Sequence, residues 1–167
     1  TAFHPRAMQA GLARILAGGT PVVADVEMIC VGLSRPRLDH FGITTHQFIS
    51  DPDVIDAARR DDTTRAVQAM RKAHRRGLLE GAIVGIGNAP TALIEVVRLI
   101  REEGCRPALV IGMPVGFVSA AESKALLMEI DAVPWVAIRG RKGGSTLVVA
   151  ALHALLGLAE AHQLGTA

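Results

Sequence analysis

Residues 81–100 read GAIVGIGNAPTALIEVVRLI. A short apolar run ends in a turn holding Gly85, Gly87, Asn88 and Pro90, and a helical pattern then runs from Thr91 to Glu103. A strand this uniformly apolar is one covered on both faces. The same rhythm returns twice. RPALVIGMPVGF (106–117) predicts a strand and turn before a helix around Ala120–Met128. VPWVAIRGRKGGS (133–145) predicts another before a helix from Thr146 to about Ala161. Gly87, Gly112 and Gly140 recur at roughly the spacing of one βα unit. The fold class is therefore α/β: a single-domain, mostly parallel β-sheet with helices on both faces, Rossmann-like and three-layered.

The amino-terminal half is less regular. Pro5–Leu16 carries Met8, Leu12, Ile15 and Leu16 at helical spacing, with Gly18-Gly19 as a stop. TPVVADVEMIC (20–30) reads as a buried strand leading into a loop, and residues 34–50 as irregular with a strand in their second half. Asp51-Pro52 opens a short helix that breaks near Asp61-Asp62. Thr63 or Thr64 caps the next, which ends near Gly77.

Composition narrows the function. Half of the 167 residues are apolar and the formal charge is +2, too small to imply nucleic acid. One Trp and no Tyr leave little on which bases could stack. Cys30 and Cys105 form no CxxC and read as buried thiols of a reducing, cytoplasmic compartment. Gly, Pro or charge interrupts every apolar run before the roughly 18 residues of a membrane span.

In a parallel sheet the ligand sits beyond the carboxyl ends of the strands, where all three glycine-rich turns fall. They do not read as nucleotide cradles. Gly85-x-Gly87-x-x-Pro90 lacks the third glycine of a dinucleotide fingerprint, and the next strand ends without a carboxylate. In GRKGGST the lysine precedes the glycines, the wrong order for a P-loop. The turns instead offer helix-start amides, Arg139, Arg141 and Lys142, and the apolar wall PVGF. That mixture suits an anionic ligand with a broad apolar body. Arg65 stands in the first turn of its helix, where the dipole disfavours a cation. It is matched either by an anionic ligand or by Asp61 or Asp62. Asp25 and Glu27 serve as acid and base, as ligand contacts, or as hydrogen-bonding loop residues. His40 and His46 lack a third metal ligand at convincing spacing. His153 reads as packing.

Five stretches together resemble the precorrin-8X methylmutase (precorrin isomerase) family: PVVADVEM (21–28), DDTTRAVQAM (61–70), GIGNAPTAL (85–93), IGMPVGFVSAAESK (111–124) and IRGRKGGST (138–146). Their order and spacing agree from about Phe3 to Leu155. The resemblance implies an isomerase of cobalamin biosynthesis. It would move a methyl group from carbon 11 to carbon 12 of a corrin precursor, giving hydrogenobyrinic acid or its cobalt form, cobyrinic acid. It implies no cofactor, no resident metal and no membrane partner, and a homodimer whose sites draw on both chains. The substrate-binding residues it implies are Ser34, Arg35, Thr64, Arg65, Gly87, Asn88, Ala89, Pro114, Val115, Gly116, Phe117, Arg141 and Lys142. Gly85 and Gly87 would let backbone approach the ring closely, and Arg65 would reach the neighbouring subunit's ligand. The family's catalytic histidine lies in a segment ahead of the stretch matched by AFHPRAMQAG (2–11). None of this sequence's histidines aligns with it, so no catalytic residue is assigned here. The alternative expectations are a corrinoid-binding protein without turnover, or a nucleotide-binding domain.

Overall fold

The computed structural model describes residues 1–165. The strands are β1 (Ala2–Phe3), β2 (Pro21–Ala24), β3 (Thr44–His46), β4 (Ile83–Ile86), β5 (Leu109–Gly112) and β6 (Trp135–Ala137). The helices are α1 (Ala7–Leu16), α2 (Glu27–Val31), α3 (Arg35–His40), α4 (Pro52–Arg60), α5 (Arg65–Arg75), α6 (Pro90–Glu102), α7 (Ala120–Met128) and α8 (Ser145–Gln163). Among the described residues the strands form one six-stranded sheet in the order β1-β6-β5-β4-β2-β3. Only β1 runs antiparallel, pairing Ala2 with Ala137 and Phe3 with Val136. The expected three-layer α/β class is present.

Each face of the sheet carries its own core. Val84, Ile86 and Val110 pack beneath α5, α6 and α7, against Met70, Leu93, Val96 and Leu127. Ile83, Leu109 and Ile111 pack against α1, α2 and α8, through Ile15, Ile29, Leu152 and Leu155. Strands buried on both sides explain the continuous Val/Ile/Leu runs. Three elements depart from the sequence reading. β1 is two residues long and has no periodicity to detect. α2 occupies part of the expected loop after β2, and α3 orders the first half of the stretch expected to be irregular.

α8 also corrects the expectation about membrane spans. Its 19 residues have a hydropathy of 1.4, long and apolar enough by composition to cross a bilayer. In the fold Val148, Leu152, Leu155, Leu156 and Ala159 are buried. Its apolarity thus serves the sheet on one side and leaves Leu147 and Leu158 exposed on the other.

Both cysteines are free, and Cys30 is only half-buried where full burial was expected. Burial pushes Cys30 up to about 11 and Cys105 up to about 12, so both stay thiols near neutrality.

Glu95 is the buried carboxylate of α6. It accepts from Arg98 at 2.6 Å and from Arg71 of α5 at 2.9 Å, tying the two helices together. Burial raises its pKa, but the two guanidinium groups outweigh burial and leave it below the ordinary 4.5. Such a carboxyl binds fewer protons folded than unfolded. Its stabilisation is therefore full above pH 4.5 and is lost as pH falls through the folded value. Glu95→Gln should cost about 1–2 kcal/mol at neutral pH, because both arginines are partly solvated. The difference from the parent, read as denaturant midpoints, should shrink in acid.

Candidate functional site

The sheet is doubly wound about β2 and β4. From β4 the chain proceeds through α6, β5, α7 and β6 in one direction across the sheet, while β3 lies on the other side of β2. The helices after β2 and β4 leave toward opposite faces, and such a divergence opens the crevice in which these folds hold phosphates. Here the crevice is filled from within. Asp25, the residue after β2, is fully buried. It accepts from the amides of Gly87 at 3.0 Å, Asn88 at 2.9 Å and Ala89 at 2.7 Å. Burial pushes its carboxyl up from the ordinary value and the three amides pull it back. The alternatives left open for Asp25 are thereby decided in favour of the loop. The amides of GIGNAP are not free for an external anion.

The glycines of that turn also have a packing task. A Cβ on Gly87 would lie 2.6 Å from Ser145 Cα, and one on Gly85 would lie 2.9 Å from a Val148 methyl. Both glycines make room for α8. Gly112 similarly gives way to Leu127 and Leu93 of the opposite layer.

The next two turns are fastened by a second buried charge. Lys124 of α7 is fully buried, and its ammonium donates to Pro114 O at 2.9 Å and Lys142 O at 2.6 Å. Burial lowers its pKa. Pro114 is itself buried and so is a strut of the rim rather than a contact surface. Gly144 N donates to Met113 O at 2.8 Å, and Gly116 N to Arg141 O, so the two turns brace each other. Gly143 has no room for a side chain because Met113 O would stand 2.2 Å from its Cβ. Ser119 takes a left-handed conformation where the turn enters α7.

Outside this frame the predicted wall is open to solvent. Val115, Phe117 and Val118 are exposed, Phe117 by 85%. The Arg141 guanidinium lies 5.7 Å from the Phe117 ring centre. Gly116, Arg141 and the Lys142 side chain sit at the same rim, with Asn88 and Ala89 on the neighbouring turn.

An apolar groove of about 530 Å³ completes this end of the molecule. Its walls include Phe3, Met8, Met113, Ile138, Leu147 and Ala151. Met113, Ile138 and Leu147 fall directly after β5, after β6 and at the start of α8. The groove therefore opens beside the Arg141 and Phe117 turns, on the α1–α8 face. Sequence reading missed it because its lining comes from five separate elements.

The remaining predicted residues lie apart from the groove. Thr64 caps α5 by accepting from Val67 N at 3.2 Å, and its hydroxyl stands 3.0 Å from that of Thr91 in the first turn of α6. Arg65 is exposed in the layer across the sheet from the groove. Asp61 is engaged by Arg60 and Gln68, and among the described residues Arg65 has no ion pair. Ser34 precedes α3 without a side-chain cap, and Arg35 pairs with Asp39 at 2.9 Å on the surface. His153 holds α8 to the α2–α3 connection, 3.1 Å from Gly32 O and 3.4 Å from Arg37. His40 and His46 bond to Gln163 and Thr44 and do not converge.

The comparisons with known proteins agree with this architecture. The family model described as precorrin-8X methylmutase matches residues 1–158. The chain belongs to the precorrin-8X methylmutase family. It is 49% identical over 161 residues to a cobalt-precorrin-8 methylmutase of Leptospira interrogans, covering 93% of this chain and 73% of that one. A cobalt-precorrin-8 methylmutase of Priestia megaterium is 51% identical over 158 residues, 95% of this chain and 68% of the relative. The solved structure of a precorrin-8X methyl mutase from Thermus thermophilus superposes with a TM-score of 0.86 at 50% identity. That match covers 95% of this chain and 76% of the solved one. Precorrin-8X methylmutases are isomerases of cobalamin biosynthesis, and the resemblance carried by the five sequence stretches is thereby confirmed.

Proposed function

We propose that this chain isomerises a precorrin-8-type corrin precursor, shifting a methyl group from carbon 11 to carbon 12, with the apolar groove and its cationic rim as the binding surface. The observation that carries the reading is the junction of the two. A corrin precursor has a broad apolar face and a fringe of carboxylates. The groove, at about 530 Å³, lies within the range of small-molecule sites and takes the ring's apolar part. Arg141 and Lys142 meet the fringe, and Phe117 and Val115 close over the ring. Asn88 and Ala89 complete the polar margin. The chain's share of the chemistry is to hold one tautomer and exclude water while a methyl group and a proton move. No titratable side chain described here is assigned the proton transfer. The free cysteines Cys30 and Cys105 suit the cytoplasm.

Arg65 belongs to the site of a second copy. It lies across the sheet from its own groove and has no ion pair among the described residues, while a guanidinium binds carboxylates bidentately. A homodimer with shared sites supplies it with a ligand. Arg65→Ala should weaken hydrogenobyrinic acid binding roughly tenfold to a hundredfold, the loss of one charge-assisted contact, as read by visible-band titration. Mixing Arg65→Ala with Arg141→Ala should restore part of the binding, because one site of each mixed dimer holds both arginines. Absence of rescue would place Arg65 in its own chain's site or in none. Parallel titrations with hydrogenobyrinic and cobyrinic acids separate the cobalt-free form from the cobalt form. Failure to take up either pigment would overturn the reading.

A further inference from the structure

At the end of the sheet opposite the rim, three side chains converge that the isomerase reading does not use. His74 closes α5, Glu80 lies between α5 and β4, and Cys105 lies between α6 and β5. His74, Glu80 and Cys105 each present a ligand-type atom, and all these atoms lie within 4.8 Å of one another. Cys105 is buried. His74 is turned by Glu103, whose carboxylate stands 3.1 Å from Nε2. With Nε2 so engaged, Nδ1 is buried and, among the described residues, has no hydrogen-bond partner. A buried imidazole nitrogen with nothing to bond is a rare and costly arrangement.

We propose that His74 Nδ1, Cys105 Sγ and the Glu80 carboxylate bind a divalent transition-metal ion of the zinc type. Nitrogen, sulfur and oxygen donors in one set suit such an ion and not a hard cation such as magnesium. Ligand atoms around a tetrahedral ion stand about 3.3–3.8 Å apart, given bonds of about 2.0–2.3 Å. Closing from at most 4.8 Å asks for shifts of no more than about 1–1.5 Å among the three side chains. Outer contacts are already in place. Glu103 fixes the histidine ring, as carboxylates commonly do behind metal-bound imidazoles. The Arg106 amide lies 3.2 and 3.3 Å from the two Glu80 oxygens and orients them. The nearby cations are engaged elsewhere: Arg71 by Glu95, and Arg98 by Glu95, Glu102 and Glu103. On binding, the ion displaces the Cys105 thiol proton to solvent, and thiolate plus carboxylate balance its two positive charges. Solvent takes the fourth position on the Glu80 side. The ion would join the entries to β4 and β5, far from the groove.

The test uses the full chain, reduced and freed of metal, titrated with Co²⁺ as a spectroscopic substitute for Zn²⁺. The expected result is a near-ultraviolet thiolate-to-cobalt band that saturates at one equivalent and is abolished by Zn²⁺. Cys105→Ser should remove the band and Cys30→Ser should leave it. Glu103→Gln, which touches no metal, should weaken binding about 10–100-fold, an effect a purely structural cluster would not show. If Cys105→Ser does not fold, Glu80→Gln decides, since Glu80 is exposed and its loss should weaken the ion's hold. No thiolate band in metal excess, or a band that follows Cys30, overturns the proposal. Corrinoid binding by the same preparation is read separately, so failure here leaves the isomerase reading intact.

Discussion

Asp25→Ala should lower stability by at least about 3 kcal/mol, because three turn amides lose their acceptor together and each buried orphan donor costs about 1–3 kcal/mol. Both Asp25 oxygens act only as acceptors, so Asp25→Asn should not rescue the turn. An amide NH₂ would point at least one donor at another donor. The effect on corrinoid binding should exceed the effect on the rest of the fold. Gly87, Asn88 and Ala89 sit between the groove's α8 wall and the α6 layer, and the turn that holds them loses its centre. Chemical denaturation gives the first quantity, and pigment titration of the still-folded fraction gives the second. An Asp25→Ala protein with parental stability would refute the account of the crevice as internally filled.

The second large effect concerns Lys124. Lys124→Met keeps the volume but removes the only donors that the described residues give to Pro114 O and Lys142 O. Stability should fall by about 2–4 kcal/mol, from two carbonyls left without partners. Ligand affinity should fall with it, since these two carbonyls fix the loops that carry Phe117 and Arg141. Lys124→Arg should not restore either property, because the site is sealed and a longer, planar head has no space in it. Circular dichroism against temperature and pigment titration read the two losses. Parental affinity in a folded Lys124→Met protein would show that the loops hold themselves.

The repeated strand–turn–helix rhythm was legible because its signals are local. Strands buried on both faces must be apolar throughout, and α7 spans the residues its pattern predicts, Ala120–Met128. Thr64 was legible as a cap for the same reason. α2 gave no such sign. Val26, the residue before it, gives no side-chain cap, and only Ile29 among its five residues is buried. The rim was found and its detail was not. A glycine in a turn looks the same whether its missing Cβ makes space for a ligand or for Ser145 of a distant helix. The partners of Asp25 lie more than sixty positions away, beyond any local pattern. The groove could not be read at all, since Phe3, Met8, Met113, Ile138 and Leu147 meet only after the sheet has closed.

The short antiparallel edge strand has a practical corollary. Pairing of Ala2 and Phe3 with β6 brings Thr1 to the lip of the groove. A dye attached at this position through a Thr1→Cys substitution would hang over the arriving pigment and be quenched by it. A bulkier group at the same edge would obstruct the groove on which the dye reports.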